Sequence, residues 1–364
     1  MKILMIGSLA NGGRERRMSQ LIIGLNDHPD YEVKLLLIND KVDYQEVLKT
    51  NTKIIFLDAN RKSLFNSLKD VIESFIPDIV HLWFSEIHLF LAIQRLRKRF
   101  NFKYIAGFVA SGVKLRFASY NYFSHLIGYY HADAVVSNSA AGLVARRAPK
   151  RVSVVIPNGF SFARFDNSKD RDIIRREIGV DTSFAVVMAA RFDNGKDWDL
   201  FMDLAYRTKK QGYDICYVAI GTGPNYETCV ANAENLGLDN LIFLGRRSDV
   251  EQILLACDVG VLFDTPEHAE GISNSLMESM AAGIPVIATG TGGTPELVCH
   301  GQTGYLVKEK DSDAALSYLL QLYHDPDCRN RMGEAAKEYV KQNLSLDLMT
   351  GRYIKLYESL ITNR

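Results

Sequence analysis

Long hydrophobic runs are missing from this sequence. No stretch of its 364 residues approaches the ~18 uninterrupted apolar residues of a membrane-spanning helix. The N-terminal apolar run breaks at Gly7, too soon for the hydrophobic region of a secretory signal. Cysteine is scarce: Cys216, Cys229, Cys257, Cys299 and Cys328 make an odd count, all lie in the second half, and no CxxC pair occurs. That argues against a disulfide framework and against zinc, and for a reducing compartment. There is no solenoid-length repeat and no low-complexity segment. Net charge is also absent, because Lys+Arg and Asp+Glu both total 43, so the whole chain has no overall pull toward nucleic acid or an anionic surface. The expected location is the cytoplasm, with a peripheral contact on the inner membrane face.

What is present is globular: 47% hydrophobic and 24% charged residues, in a length that suits about two domains. The zero charge is an average of unlike halves. Residues 1–160 hold 22 Lys and Arg against 13 Asp and Glu, and residues 161–364 hold 21 against 30. Short apolar runs at 3–6, 33–38, 54–57, 78–83, 104–108, 134–136 and 152–156 alternate with helix-like segments. The rhythm repeats at 184–190, 215–220, 241–244, 259–263 and 285–288. Continuous apolar strands alternating with helices predict parallel sheets buried on both faces. The turn-rich stretch Ile156-Pro157-Asn158-Gly159 marks the junction. The expectation is an α/β chain of two Rossmann-like doubly wound domains, 1–157 and 158–344, with residues 345–364 returning to the first. That return rests on a last helix whose Leu346, Met349, Tyr353, Leu356, Tyr357 and Leu360 form an apolar stripe in need of a surface.

Doubly wound sheets bind ligands at strand ends. After the first strand come Gly12 and Gly13, where a helix should start; they suit the close approach of an anion or a plain βα turn, and they do not complete GxGxxG. After the 184–190 strand come Arg191 and Lys196, a pair that suits a diphosphate, although either alone reads as a solvated charge. Gly221-Thr222-Gly223-Pro224 reads as a plain helix start. In Glu270-Gly-Ile-Ser-Asn-Ser-Leu-Met-Glu278 a helix is predicted from about Ile272 to Gly283, with its N-terminal amides turned to a ligand and its two carboxylates suited to sugar and ribose hydroxyls.

Taken in order, Gly12-Gly13, the 156–159 junction, Arg191 with Lys196, Gly221–Pro224, Phe243-Leu244-Gly245, the Glu270/Glu278 pair and Gly292-Gly293-Thr294-Pro295-Glu296-Leu297 resemble retaining glycosyltransferases of family 4, whose architecture is GT-B. The resemblance implies two domains facing a cleft and a nucleotide-sugar donor, UDP- or GDP-linked, held by the second. Arg191 and Lys196 would hold the diphosphate and stabilise the leaving group. Glu278 would accept the ribose hydroxyls. Glu270 with the amides of Gly271, Ile272, Ser273 and Asn274 would meet the transferred sugar and distal phosphate. Leu244, Gly245, Arg246 and Arg247 would flank the base, and Gly12 and Gly13 would close over the phosphates. No cofactor and no metal are expected, and transfer would retain configuration by attack on the same face. The family's histidine after the fourth strand is missing from 102–112, which leaves His81 as the substitute, with His88 less clear.

The first domain would choose a glycan or lipid-linked acceptor for cell-surface polysaccharide synthesis. Arg95, Arg97, Lys98, Arg99, Lys103, Lys114 and Arg116 stand beside Phe117, Tyr120, Tyr122, Phe123, Tyr129 and Tyr130, a mixture that suits an anionic membrane, with no nucleic-acid motif beside it. Two readings compete with a hexosyltransferase: a nucleotide-sugar epimerase on a similar fold, and a non-catalytic nucleotide-sugar-binding subunit.

Overall fold

A computed structural model describes every residue except 11, 58–60, 85, 108–118, 167, 266–267 and 363–364, with the side chains of 61–63 and 121 also outside the description. The chain divides into two compact units, Met1–Gly159 with Leu346–Arg364, and Phe160–Ser345.

The first unit holds strands β1 (Lys2–Leu9), β2 (Glu32–Val42), β3 (Lys53–Phe56), β4 (Ile79–Leu82), β5 (Lys103–Gly107), β6 (Ala134–Ser137) and β7 (Ser153–Val155). They form one parallel sheet in the order β3-β2-β1-β4-β5-β6-β7. The second unit holds β8 (Phe184–Ala189), β9 (Ile215–Ile220), β10 (Leu241–Phe243), β11 (Val259–Leu262), β12 (Val286–Thr289) and β13 (Gly304–Val307). They form a second parallel sheet, β10-β9-β8-β11-β12-β13. Both orders reverse beside the unit's first strand, at β1/β4 and at β8/β11, so each sheet has a switch point where the loops after the strands diverge. The strands are apolar on both faces because helices cover both faces; β4, β6, β11 and β12 are buried throughout.

Helix starts in the second unit follow capping chemistry. Asp197 accepts from the Leu200 amide, Asp311 from Ala314 and Asp325 from Cys328, the last with Pro326 in the first turn. The helix Leu346–Thr362 belongs to the first unit, where Met349, Tyr353 and Tyr357 join the core formed by Ile3, Met5, Met18, Leu21 and Ile22. Arg17, on the helix Gly13–Asn26, is buried beside them: it donates to the Ile156 carbonyl at 2.5 Å and lies against the rings of Trp83 and Tyr353. Among the described residues, no helix is long and apolar enough to cross a membrane.

Candidate functional site

In the second unit the predicted residues gather at the C-terminal ends of the strands. The loop after β8 carries Arg191 and Lys196. Its backbone runs beside the end of β11, where Lys196 and Asp264 form an antiparallel bridge and the Asp197 amide donates to the Phe263 carbonyl. Lys196 is 8% exposed. Its ammonium donates to Asp264 Oδ1 at 2.6 Å and to Glu270 Oε1. Asp264 is almost wholly enclosed, and its amide donates to the Thr289 hydroxyl at the end of β12. Arg191 is different: its side chain is 70% exposed and, among the described residues, it pairs with Asp193 at 3.3 Å.

The electrostatics of this cluster follow from sharing one ammonium between two carboxylates. Burial works against charge on Lys196, but Glu270 and Asp264 outweigh it and hold the ammonium above its ordinary pKa. Burial resists ionisation of Glu270 as well; Lys196 and the Ser273 hydroxyl overcome it, so Glu270 lies below the usual carboxylate value. Asp264 is raised by burial, with Lys196 countering and the Glu270 charge adding. His268 Nε2 stands 4.0 Å from the same Glu270 oxygen. Asp264, His268 and Glu270 place potential ligand atoms within 4.8 Å of one another, but Lys196 is bonded to both carboxylates, so a divalent ion there would meet an ammonium.

Glu270 is placed by its backbone. The Gly293 amide donates to the Glu270 carbonyl at 2.8 Å, and Gly292, at φ 56, packs so closely that a Cβ there would lie 2.1 Å from that oxygen. The helix after Glu270 runs from Asn274 to Ala281, two residues later than the sequence suggests, because Ile272 and Ser273 stay outside the helix and Ser273 is its N-cap. Ser273 makes no side-chain cap bond to that helix; its hydroxyl serves Glu270 instead. Glu270 and Glu278 are therefore not joined by a continuous helix. Glu278, one turn into the helix, pairs with Arg164 at 3.2 Å, and Arg164 also pairs with Glu251.

Leu244 and Gly245 border the same strand ends. The Leu244 amide donates to Ala219 and the Gly221 amide to the Gly245 carbonyl, 2.9 and 2.8 Å, while Arg246 is exposed and Arg247 pairs with Asp249. Gly221, read as part of a plain helix start, has a closer constraint: at φ 138, a Cβ would lie 1.9 Å from the Ala190 carbonyl. It lets the β9 turn press on the segment that carries Arg191.

Other predicted residues lie in the first unit. Gly12 and Gly13 do open the helix Gly13–Asn26, with the Tyr44 hydroxyl donating to the Gly12 carbonyl at 2.9 Å. His81 is corrected. It is interior, 0% exposed, with Nδ1 2.9 Å from the Tyr357 hydroxyl and its ring stacked on Trp83. Burial first, and Arg17 second, push its pKa down to about 3, so it is a neutral packing group and leaves the substrate-contacting set. His88 is exposed on the helix Ile87–Arg97. Residues 108–112, where the family histidine is missed, lie outside the described residues, as do Lys114, Arg116 and Phe117.

The basic stretch is also redistributed. Arg97 and Lys103 face Asp133 at 2.6 and 4.0 Å, Arg99 faces Glu73 at 3.3 Å, and Tyr129 is buried. What faces outward is one side of the helix Tyr120–Tyr130, where Tyr120, Phe123, Leu126 and Tyr130 are exposed and no residue is acidic.

Sequence reasoning missed Asp264, His268 and Arg164. A carboxylate directly after the apolar run 259–263 was the signal for Asp264. Arg164 carried none, because its partners are 87 and 114 residues away in the chain.

Residues 170–339 match the family model described as glycosyl transferases group 1. Over 94% of this chain and 95% of the relative, the sequence is 23% identical to the N,N'-diacetylbacillosaminyl-diphospho-undecaprenol alpha-1,3-N-acetylgalactosaminyltransferase of Campylobacter jejuni. A shorter match, 31% identical over 41% of this chain, is to the N-acetyl-alpha-D-glucosaminyl L-malate synthase of Bacillus anthracis and spans 38% of that enzyme. Among solved structures, Anabaena Alr3699/HepE in complex with UDP is similar at a TM-score of 0.83 and 20% identity, covering 99% of this chain and 100% of the other. The same protein with UDP-glucose gives 0.83 at 20%. The architecture is that of GT-B, two Rossmann-like domains.

Proposed function

We propose that the chain is a group 1 glycosyl transferase that moves a hexosyl or N-acetylhexosaminyl group from a UDP- or GDP-linked sugar to a glycan or lipid-linked acceptor in surface polysaccharide or glycolipid synthesis, with retention of configuration; the family model matching residues 170–339 supports this reading. The observation that carries the reading is the convergence of Lys196, Glu270 and the start of the helix Asn274–Ala281 at the β8/β11 switch point. Negative charge develops on the departing diphosphate, and a fixed ammonium and helix N-terminus aimed there are the expected main catalytic contribution. Arg191, exposed on the same loop, is free to swing onto a phosphate. Glu278, fixed by Arg164, would accept a ribose hydroxyl, and Glu270 a hydroxyl of the sugar. The UDP complexes of the Anabaena neighbour and the undecaprenol-linked acceptor of the Campylobacter relative support the donor and acceptor classes.

The test screens UDP-, GDP- and ADP-sugars by thermal shift and then measures turnover. A native-state ligand at 100 times its Kd stabilises by about 2.7 kcal/mol. Lys196→Ala and Arg191→Ala are each expected to cut kcat by about 10²-fold or more, the scale of losing a charge-stabilising donor. Near-wild-type rates in both sink the diphosphate assignment. Product formed without acceptor points to an epimerase, and binding without turnover points to a non-catalytic subunit.

The outward side of the helix Tyr120–Tyr130 supports a peripheral contact with an anionic membrane. Arg147 lies over the Tyr122 ring at 5.5 Å and Arg151 donates to the Tyr130 carbonyl, so cations flank the apolar side chains.

A further inference from the structure

The two carboxylates on Lys196 are built differently. Asp264 is 1% exposed, lies two residues past β11, and is tied to Lys196 twice, through the backbone bridge and through the ion pair. Glu270 sits on a loop and its side chain is 29% exposed; its backbone is fixed through its carbonyl, and its carboxylate is held by Lys196 without a backbone bridge of the kind Asp264 has. Its carboxylate has the Ser273 hydroxyl and His268 as alternative company. One ammonium against two carboxylates leaves the empty cluster with an excess of negative charge, which opposes a diphosphate. The ammonium has a third N–H, but Lys196 is so enclosed that a diphosphate gains the fullest contact with it by taking the place of one carboxylate. Asp264 cannot withdraw without stranding an enclosed charge, whereas Glu270 can turn toward solvent.

We propose that Asp264 is a positioning residue that keeps the Lys196 ammonium in place whether the site is empty or filled, and that Glu270 is the exchangeable partner that releases Lys196 when a nucleoside diphosphate binds. This rests on the donor-site reading above. It assigns opposite signs to two carboxylates that touch the same atom.

The experiment is calorimetric titration of UDP and of GDP into the full-length protein and its variants, with thermal melts and donor kinetics alongside. Glu270→Gln removes the competing charge and is expected to bind the nucleoside diphosphate about 3–10-fold tighter, with kcat reduced and donor KM not raised. Asp264→Asn keeps the shape and is expected to bind it about 10-fold more weakly, with donor KM raised and kcat reduced. Both variants moving affinity in the same direction would overturn the proposal. So would an Asp264→Asn that lowers Tm and leaves affinity unchanged. If Asp264→Asn does not fold, Asp264→Glu carries the same charge on a longer arm and is expected to weaken binding while melting cooperatively; unchanged affinity there overturns the proposal too. Lys196→Ala separates the two levels. Undiminished binding in Lys196→Ala, or no binding of either nucleotide to the wild type, takes down the donor-site reading and this inference together. Weakened binding in Lys196→Ala with both carboxylate variants neutral takes down this inference alone.

Discussion

At the scale of single residues, the cations were legible and their partners were not. Arg191 and Lys196 stand just past an apolar run, so the sequence marks them as strand-end groups. That one is exposed and the other enclosed follows from Asp264, 68 residues further along the chain, which no local pattern connects to Lys196. His81 shows the converse. Its strand-end position suggested chemistry, but the last helix covers it. Its consequence is for stability. A histidine held neutral in the fold, at about 3 against an ordinary 6.5, leaves the unfolded chain to bind the extra proton below pH 6.5. Stability from this group is therefore full above pH 6.5 and declines as pH falls toward 3, by about 2 kcal/mol at pH 5. His125, pushed down to about 4 by burial and by Arg146, adds a slope of the same sign. Denaturant unfolding of His81→Leu between pH 8 and pH 4.5 is expected to show a flatter decline than wild type, with the His125 part remaining. An unchanged slope would mean that His81 titrates normally.

Among the elements, the helix Leu346–Thr362 was the most readable. An apolar stripe at helical spacing, with no strand after it, demanded a surface, and the first unit supplies one. The start of the helix after Glu270 was less readable. A Ser hydroxyl is a good cap by type, and the sequence does not say that this one serves a carboxylate instead. The Gly292-Gly293 turn was recognised as part of a pattern, while its task, to admit and bind the Glu270 carbonyl, needs coordinates to see. The last helix carries its own prediction. Tyr357 is fully enclosed and bonded to His81, so Tyr357→Ala should leave a cavity and an unpartnered imidazole, at about 3–5 kcal/mol. Equilibrium unfolding measures it, and a loss below about 1 kcal/mol would show that the helix is only loosely seated.

For the whole molecule, alternating strands and helices predicted two parallel sheets, and the strand order needed the structure. The charge asymmetry of the halves was visible in composition; its local use was not. Arg97, Arg99 and Lys103 are occupied by Asp133 and Glu73, so the excess alone does not define a contact surface. The proposed contact surface is instead the outward side of the helix Tyr120–Tyr130. Co-sedimentation with vesicles is expected to require anionic lipid, to weaken with added salt as charges within a Debye length of about 8–10 Å are screened, and to drop in Phe123→Ser with Leu126→Ser. Binding that ignores salt and both substitutions would refute the membrane contact. Finally, the first unit is assembled from two distant pieces, Met1–Gly159 and Leu346–Arg364, with the contiguous second unit between them. During synthesis the second unit emerges whole and can fold as it appears, while the first, although made earlier, waits for its closing helix. Until then Met5, Met18, His81 and Arg17 lack the cover of Met349, Tyr353 and Tyr357. The half of the protein that leaves the ribosome first is thus the half completed last, and a ribosome stalled before residue 346 holds a first unit with its core open.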